Sequence, residues 1–374
     1  MITDWNLTRA LDEAVPTVEA EAAGVDGEGA FPARSIGALR EAGLLGLISS
    51  PEVGGRGEGM RSAATAVRRV AQSCASTAMV TLMHYCATAV VEAHGPQDVR
   101  RAIAEGRHLT TLAFSETGSR SHFWAPLSSA AADGDSVRLD ASKSWVTSAG
   151  VADSYVWSSR PVASEGASTL WLVPSEAPGL SLAGGFDGLG MRGNTSRPVT
   201  ASGVSVPVAS RLGPDGGGFD VMMGAVLPWF QVLNAACSVG IGEAAIGRTA
   251  AHATSTRYEH LGEALADQPV TRAHLARMRL QADLAGALLA DTLTAIETSR
   301  EDAMLRVLEV KPAASEAVLA ITDEAMRVCG GAAFRKEVGV ERNFRDARAA
   351  TVMAPTTDAL HDFIGKAVCG LPLF

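Results

Sequence analysis

The sequence has no concentration of charge, no cysteine pattern and no long uninterrupted apolar run. Each of these shortages removes a class of function. Charged residues make up 20% of the chain, and the net charge of -9 is not gathered into one block. That balance argues against nucleic acid or an acidic membrane surface as the main partner. The five cysteines, Cys74, Cys86, Cys237, Cys329 and Cys369, lie far apart, with no CxxC pair and no His/Cys cluster. They read as reduced, mostly buried thiols of a cytoplasmic protein, and they predict neither a disulfide framework nor a metal site. No cationic start leads into an apolar run at the N-terminus, so no signal peptide is expected. The stretch "STAMVTLMHYCATAVVEA" (76–93) is interrupted by His84, Tyr85 and hydroxyl residues. A core helix fits it better than a membrane span, with His84 as a core histidine. There is no internal repeat and no low-complexity tract.

What is present is a chain of 374 residues, 47% of them hydrophobic, long enough for a large core divided into two or three domains. Three textures follow one another. Up to residue 111 the apolar spacing is helical, with candidates at 35–48, 60–74 and 76–93 and a turn-rich "SSPEVGGRGEG" after the first. From 112 to 212, short β-rich runs ("SVRLDASKSWVTS", "SYVWSSRP", "STLWLVP", "VTASGVSVP") are separated by Gly, Ser, Pro and Asp, as in a sheet or barrel. From 213 the helical period returns after the linker "LGPDGGGF". In 271–300, Leu275, Met278, Ala282, Ala285, Leu289, Thr292 and Ile296 share one stripe, which predicts a long bundle helix. The expected class is α+β: an N-terminal helical domain (1–111), a central β-barrel or sandwich domain (112–212) and a C-terminal four-helix bundle (213–374).

Four stretches in order resemble the acyl-CoA dehydrogenase family over nearly the whole chain: "FPARSIGALREAGLLGLISSPEVGGRG" (31–57), "LAFSETGSRSHF" (112–123), "KSWVTSAGVADSYV" (143–156) with "LGMRGNTSRPVTASGVSVP" (189–207), and "AMRVCGGAAFRKEVGVERNFRDAR" (325–348). The resemblance implies FAD held between the β domain and the bundle. Phe114 and Ser115 would line the flavin, Ser121 would lie on its pyrophosphate side, Trp145 would pack on the ring system and Thr147 would sit near N5. Thr356 and Asp358 match positions that hold the flavin from the C-terminal loop. Gly330 and Gly331 match a place where a neighbouring subunit's FAD comes close, with Arg327 where the family has Gln. Arg257 and Gln268 match an Arg and a Gln that grip FAD across a dimer interface. The resemblance thus implies a homodimer or homotetramer, with an electron-accepting flavoprotein or a flavin reductase as redox partner. Arg342, Arg345 and Asp346 read as an ion network joining subunits.

One position departs from the family. In "TVMAPTTDAL" (351–360), counting from "RDAR" puts Ala354 where the family carries its glutamate base. In the minority arrangement, with the base on a bundle helix, Phe230 and Gln231 stand where acid and arginine would be, and Pro228 suggests a kink. Abstracting a proton beside a thioester carbonyl requires an acceptor within hydrogen-bond reach. The remaining candidates are Asp358, Glu116 and His122. Arg120 and His122 replace a small residue and an aspartate, and with Trp229 and Phe230 they are candidate substrate contacts. Three functions stay open. The first is an FAD-dependent oxidoreductase on a CoA- or carrier-bound acyl thioester with a non-standard base. The second is a flavin-dependent monooxygenase in a dry aromatic pocket formed by Trp124, Trp145, Trp229 and Phe230. The third is a subunit that keeps FAD for structure.

Overall fold

The computed structural model describes residues 5–119 and 122–373. The chain opens with five helices: α1 (Leu7–Glu28), α2 (Ala33–Glu41), α3 (Met60–Ala71), α4 (Ala75–His94) and α5 (Gln97–Ala104). The Asn6 side chain accepts from the Arg9 amide to start α1, and Gly29 ends it in a left-handed conformation. The helix expected at 35–48 is shorter. α2 stops because Gly43 turns the chain at φ +75°, and Gly46 passes so close to α5 that a Cβ would lie 2.1 Å from the Ala104 carbonyl. α4 is buried along nearly its whole length. His84 accounts for its polar interruption: Nε2 donates to the Leu45 carbonyl at 3.0 Å, and Nδ1 accepts from the Thr110 amide at 3.2 Å. Burial pulls its pKa down to about 4, so the ring is neutral and satisfied on both sides.

The middle of the chain forms β1 (Thr110–Ala113), β2 (Ser129–Asp133), β3 (Ser136–Val146), β4 (Ser154–Ser159), β5 (Thr169–Pro174), β6 (Leu180–Leu182) and β7 (Arg197–Pro207). One sheet runs β1-β4-β5, with β1 parallel to β4; the other, β2-β3-β7-β6, is antiparallel. They close on one core that includes Val137, Leu139, Tyr155, Val199 and Val204, which makes the domain a sandwich of two open sheets. Trp157 pairs with Trp171 across β4 and β5, and both are fully buried. Truncating either is worth about 3–5 kcal/mol.

The remainder is helical apart from a small hairpin, β8 (Arg257–Tyr258) and β9 (Glu263–Ala264). α6 (Gly218–Val221), a π-turn at Met222–Val226 and α7 (Leu227–Ser255) run on as one helix of 38 residues. The π-turn accounts for the irregularity expected at Pro228. Leu227 N–H reaches back five residues to the Met222 carbonyl, and this bypasses the turn in which a proline ring would strike the carbonyl four residues earlier. This helix is long and apolar enough to cross a membrane by length and composition, and 78% of its most apolar window is packed inside the protein. α8 (Pro269–Glu297) buries Met278, Ala282, Ala285, Leu289 and Thr292. It packs with α7 and α9 (Ala303–Cys329), and α12 (Thr357–Val368) lies against α9. α10 (Val340–Ala347) and α11 (Ala349–Val352) lead into the segment 353–356. Four of the five thiols are buried, Cys369 is exposed, and all are free.

Candidate active site

A cavity of about 1240 Å³ lies where the β sandwich meets α4 and the bundle. It exceeds the roughly 300–1,000 Å³ of an ordinary small-molecule site. Phe114, Ser115, Trp145 and Thr147 line it from the β domain, and Met79 and Met83 from α4. On the bundle side stand Leu227 and Phe230 of α7, followed by Met353, Ala354 and Thr356.

Trp145 reaches the cavity through a β-bulge. β3 and β7 pair in register at Lys143↔Val199 and again at Val146↔Arg197, so Ser144 and Trp145 together oppose Pro198. Proline has no N–H for the ladder, which makes this the place where pairing slips by one residue. The slip holds Trp145 at φ +56° and turns its indole out of the sandwich, 70% exposed. A tryptophan on a strand is ordinarily core; here the bulge makes it cavity wall. Thr147 and Ser196 hydroxyls lie 3.2 Å apart, so one of the two protons is left for a ligand. The Ser115 backbone carbonyl accepts from the Ser144 amide.

Several expected site residues lie elsewhere. Glu116 borders the cavity, but its carboxylate is committed. It accepts from Lys143 Nζ at 2.5 Å, Ser128 Oγ at 2.7 Å and the amides of Leu127 and Ser128 at 2.7 and 3.0 Å. Burial alone would raise its pKa, yet the Lys143 charge and these hydrogen bonds hold it below the ordinary value. It serves as an anchor, not as a base. Asp358 is exposed in the first turn of α12 and His122 is exposed with its ring edge against Trp124 at 5.1 Å; neither lines the cavity. Trp124 and Trp229 pack into the core, so the aromatic wall is Phe114, Phe123, Trp145, Phe186 and Phe230 instead. Arg120 and Ser121 lie outside the described residues. Among the described residues, Glu116 is therefore the one carboxylate on the cavity.

Arg257, Arg327, Gly330 and Gly331 are exposed, Gln268 is half-buried, and none of the five borders the cavity of its own chain. Arg257 donates to the Gly262 carbonyl and Gln268 to Glu263 within the hairpin region. Gly330 needs to be glycine: its φ is +53° with ψ -136°. The network expected to join subunits is internal. Arg345 pairs with Asp26 of α1 at 2.6 Å and with Glu341 at 2.6 Å, and buried Asp346 accepts from the Met191 amide at 2.5 Å. It ties α10 to α1 and to the loop that carries Met191 and Asn194 into the cavity.

Sequence reasoning missed Lys311. It sits on the stripe Val307–Lys311–Ala314–Val318, all buried, and that periodicity was its available signal. Fully buried, its Nζ donates to the carbonyls of Met353 at 2.8 Å and Pro355 at 2.6 Å, clamping the segment on either side of Ala354. Among the described residues no ion pair offsets its charge, and burial pulls its pKa from 10.5 down to about 7. Between those values the unfolded chain binds more protons than the folded one, so this residue makes stability rise with pH over that window. The slope is at most about 1.4 kcal/mol per pH unit. Lys311→Met is expected to flatten the rise between pH 7.5 and 9.5, read from urea midpoints at each pH.

The site residues fit a planar heteroaromatic group, with an exposed indole and a hydroxyl pair on one wall and a methyl group at 354 on another. Family models for the acyl-CoA dehydrogenase N-terminal, middle and C-terminal domains match residues 8–106, 111–204 and 216–369. The chain is 29% identical over 345 residues to the human mitochondrial short-chain specific acyl-CoA dehydrogenase, covering 90% of this chain and 82% of that protein. It is 29% identical over 347 residues to the L-prolyl-[peptidyl-carrier protein] dehydrogenase of Pseudomonas fluorescens, covering 90% of each. The fold is shared with butyryl-CoA dehydrogenase from Megasphaera elsdenii, with a TM-score of 0.90, 21% identity and coverage of 99% of both chains. A prolyl acyl carrier protein oxidase has the same fold, with a TM-score of 0.87, 20% identity and coverage of 97% of this chain and 99% of that one.

Proposed function

Because the chain belongs to the acyl-CoA dehydrogenase family of FAD-dependent oxidoreductases, we propose that it oxidises an acyl group held as a thioester of coenzyme A or of a carrier protein, without a proton acceptor at position 354. The observation that carries this reading is the bulge. It presents the Trp145 indole and the Thr147–Ser196 hydroxyl pair to a cavity bounded opposite by Phe230, Met353 and Ala354. Trp145 would cover one face of the flavin, and Ser115, Thr147 and Thr356 would supply its hydrogen bonds. Bound there, FAD supplies the hydride acceptor. Leu227, Phe230 and Met353 keep water from the acyl group, and Lys311 holds the backbone on either side of Ala354 in place. Arg257, Gln268, Arg327, Gly330 and Gly331 lie clear of their own chain's cavity, which suits contact with a second subunit's FAD in a homodimer or homotetramer. Electrons would leave to an electron-accepting flavoprotein.

A second reading, monooxygenation with reduced flavin and O2, is favoured by one observation: the cavity's carboxylate, Glu116, is locked to Lys143. Such a reaction needs no proton acceptor beside the thioester. Anaerobic mixing of the yellow holoprotein with acyl-CoA esters separates the two. Bleaching of the flavin is expected on the first reading. No bleaching, with product formed only when NADH, a flavin reductase and O2 are supplied, would replace it with the second.

Trp145→Gly tests the carrying observation. Glycine relieves the left-handed backbone by about 1 kcal/mol and costs a similar amount in chain entropy. Thermal stability of the apoprotein is therefore expected to stay nearly constant while FAD retention on gel filtration falls. Unchanged retention would remove the indole from the cofactor site.

A further inference from the structure

The loop between β6 and β7 holds two residues in costly conformations, and Asn194 sits between them. Met191 has φ +50° and Thr195 φ +47°. Thr195 is β-branched, the side-chain type that tolerates a left-handed backbone least. Its buried hydroxyl also has no partner among the described residues. Three contacts impose this path. The Met191 amide donates to Asp346 at 2.5 Å, the Gly193 amide donates to Ser76 Oγ at 3.2 Å, and a Cβ on Gly190 would lie 2.4 Å from the Arg345 carbonyl. Backbone strain that the surroundings hold in place gathers where a ligand is gripped.

What the path presents is Asn194, which is 3% exposed and lines the cavity. Its Oδ1 accepts from the Ser196 amide at 3.1 Å, which fixes the orientation of the side chain. Its backbone carbonyl accepts from the Ser148 amide at 2.9 Å, tying the loop to the residue after Thr147. Nδ2 is not sealed inside the protein and meets no partner among the described residues. Asn194 therefore offers N–H donors on the wall that carries Trp145, Thr147 and Ser196.

We infer that Asn194 contacts the cofactor directly: its side-chain N–H hydrogen-bonds the flavin ring system and, beside the Thr147–Ser196 hydroxyl pair, favours the reduced ring over the oxidised one. This rests on FAD occupying the cavity as set out above. A fixed donor facing the ring's acceptor edge binds the reduced form more tightly, because reduction adds negative charge there. The strained loop then has a purpose, since it is what places the amide on that wall.

The test is the midpoint potential of the FAD-loaded protein, measured by equilibration with a reference dye. Asn194→Ala removes the amide without adding charge. Its potential is expected to fall by about 30 mV, which is tenfold in the ratio of reduced to oxidised affinity for two electrons. Asn194→Asp keeps an acceptor for the Ser196 amide but replaces the donor with a repelling oxygen, so its potential should fall further. A residue serving the loop alone would give a different pattern. Asn194→Ala would lower the melting temperature of the apoprotein, Asn194→Asp would not, and the potential would move in neither. A shift below about 10 mV, roughly twofold, in whichever variant binds FAD overturns the inference. Should both variants lose FAD, apoproteins that melt at the parent's temperature uphold the contact, and apoproteins that melt lower overturn it. A parent protein that binds no FAD removes the cofactor reading and this inference together.

Discussion

Ala354→Glu is expected to speed anaerobic flavin reduction by a saturated acyl-CoA by about 10²–10⁴-fold, the usual worth of a positioned proton acceptor. The position suits the change: Ala354 lines the cavity, is half-buried, and is bracketed by the two carbonyls that Lys311 holds. A glutamate there would sit among Phe230, Val352 and Met353, whose apolar surfaces push a carboxyl pKa upward. Stopped-flow absorbance at the flavin band measures the result. Equal rates in the parent and the variant would mean that the acyl α-carbon does not come to position 354.

The second large effect concerns stability. Glu116→Ala is expected to cost about 3–5 kcal/mol, because it strands the Lys143 ammonium in the sandwich with Ser158, Ser128 and the Trp157 ring as its neighbours and no counter-charge among the described residues. Glu116→Leu combined with Lys143→Met should recover part of this, since the charge is gone. Recovery is incomplete because the Leu127 and Ser128 amides lose their acceptor. The Glu116 pKa is held below its unfolded value of 4.5. Its contribution is therefore complete above that pH and is lost as pH falls through the lower folded value. Urea midpoints of the single and double variants at pH 7 and pH 4 check both statements. A double variant no more stable than Glu116→Ala would show that the buried ammonium is not the source of the loss.

The three textures of the sequence announced the helix–sandwich–helix order because each element's apolar period survives folding: two along β3 and β7, 3.6 along α8. His84 was legible as core for the same reason. The motif around Trp145 located a wall of the cavity, but the bulge that turns the indole outward depends on Pro198, fifty-three residues further on, and on a register that only pairing reveals. Glu116 looked available because spacing says nothing about partners, and Lys143, 27 residues away, consumes it. The Arg345 network likewise closes on Asp26, at the opposite end of the chain. Residues whose role is set by a distant neighbour are those that linear reading misassigns.

The wide turn at Met222–Val226 behaves like one amino acid inserted into a continuous rod. Each added residue swings everything downstream by about 100°. The turn takes up that swing locally, so Phe230, Gln231 and Asn234, whose amide meets the Met353 sulfur, keep their places on the rod with or without the extra residue. Excising one residue within 222–226, with Pro228→Ala, should leave an unbroken rod that still presents that face. The same excision just after Pro228 would rotate those three side chains away and close the cavity with whatever followed them.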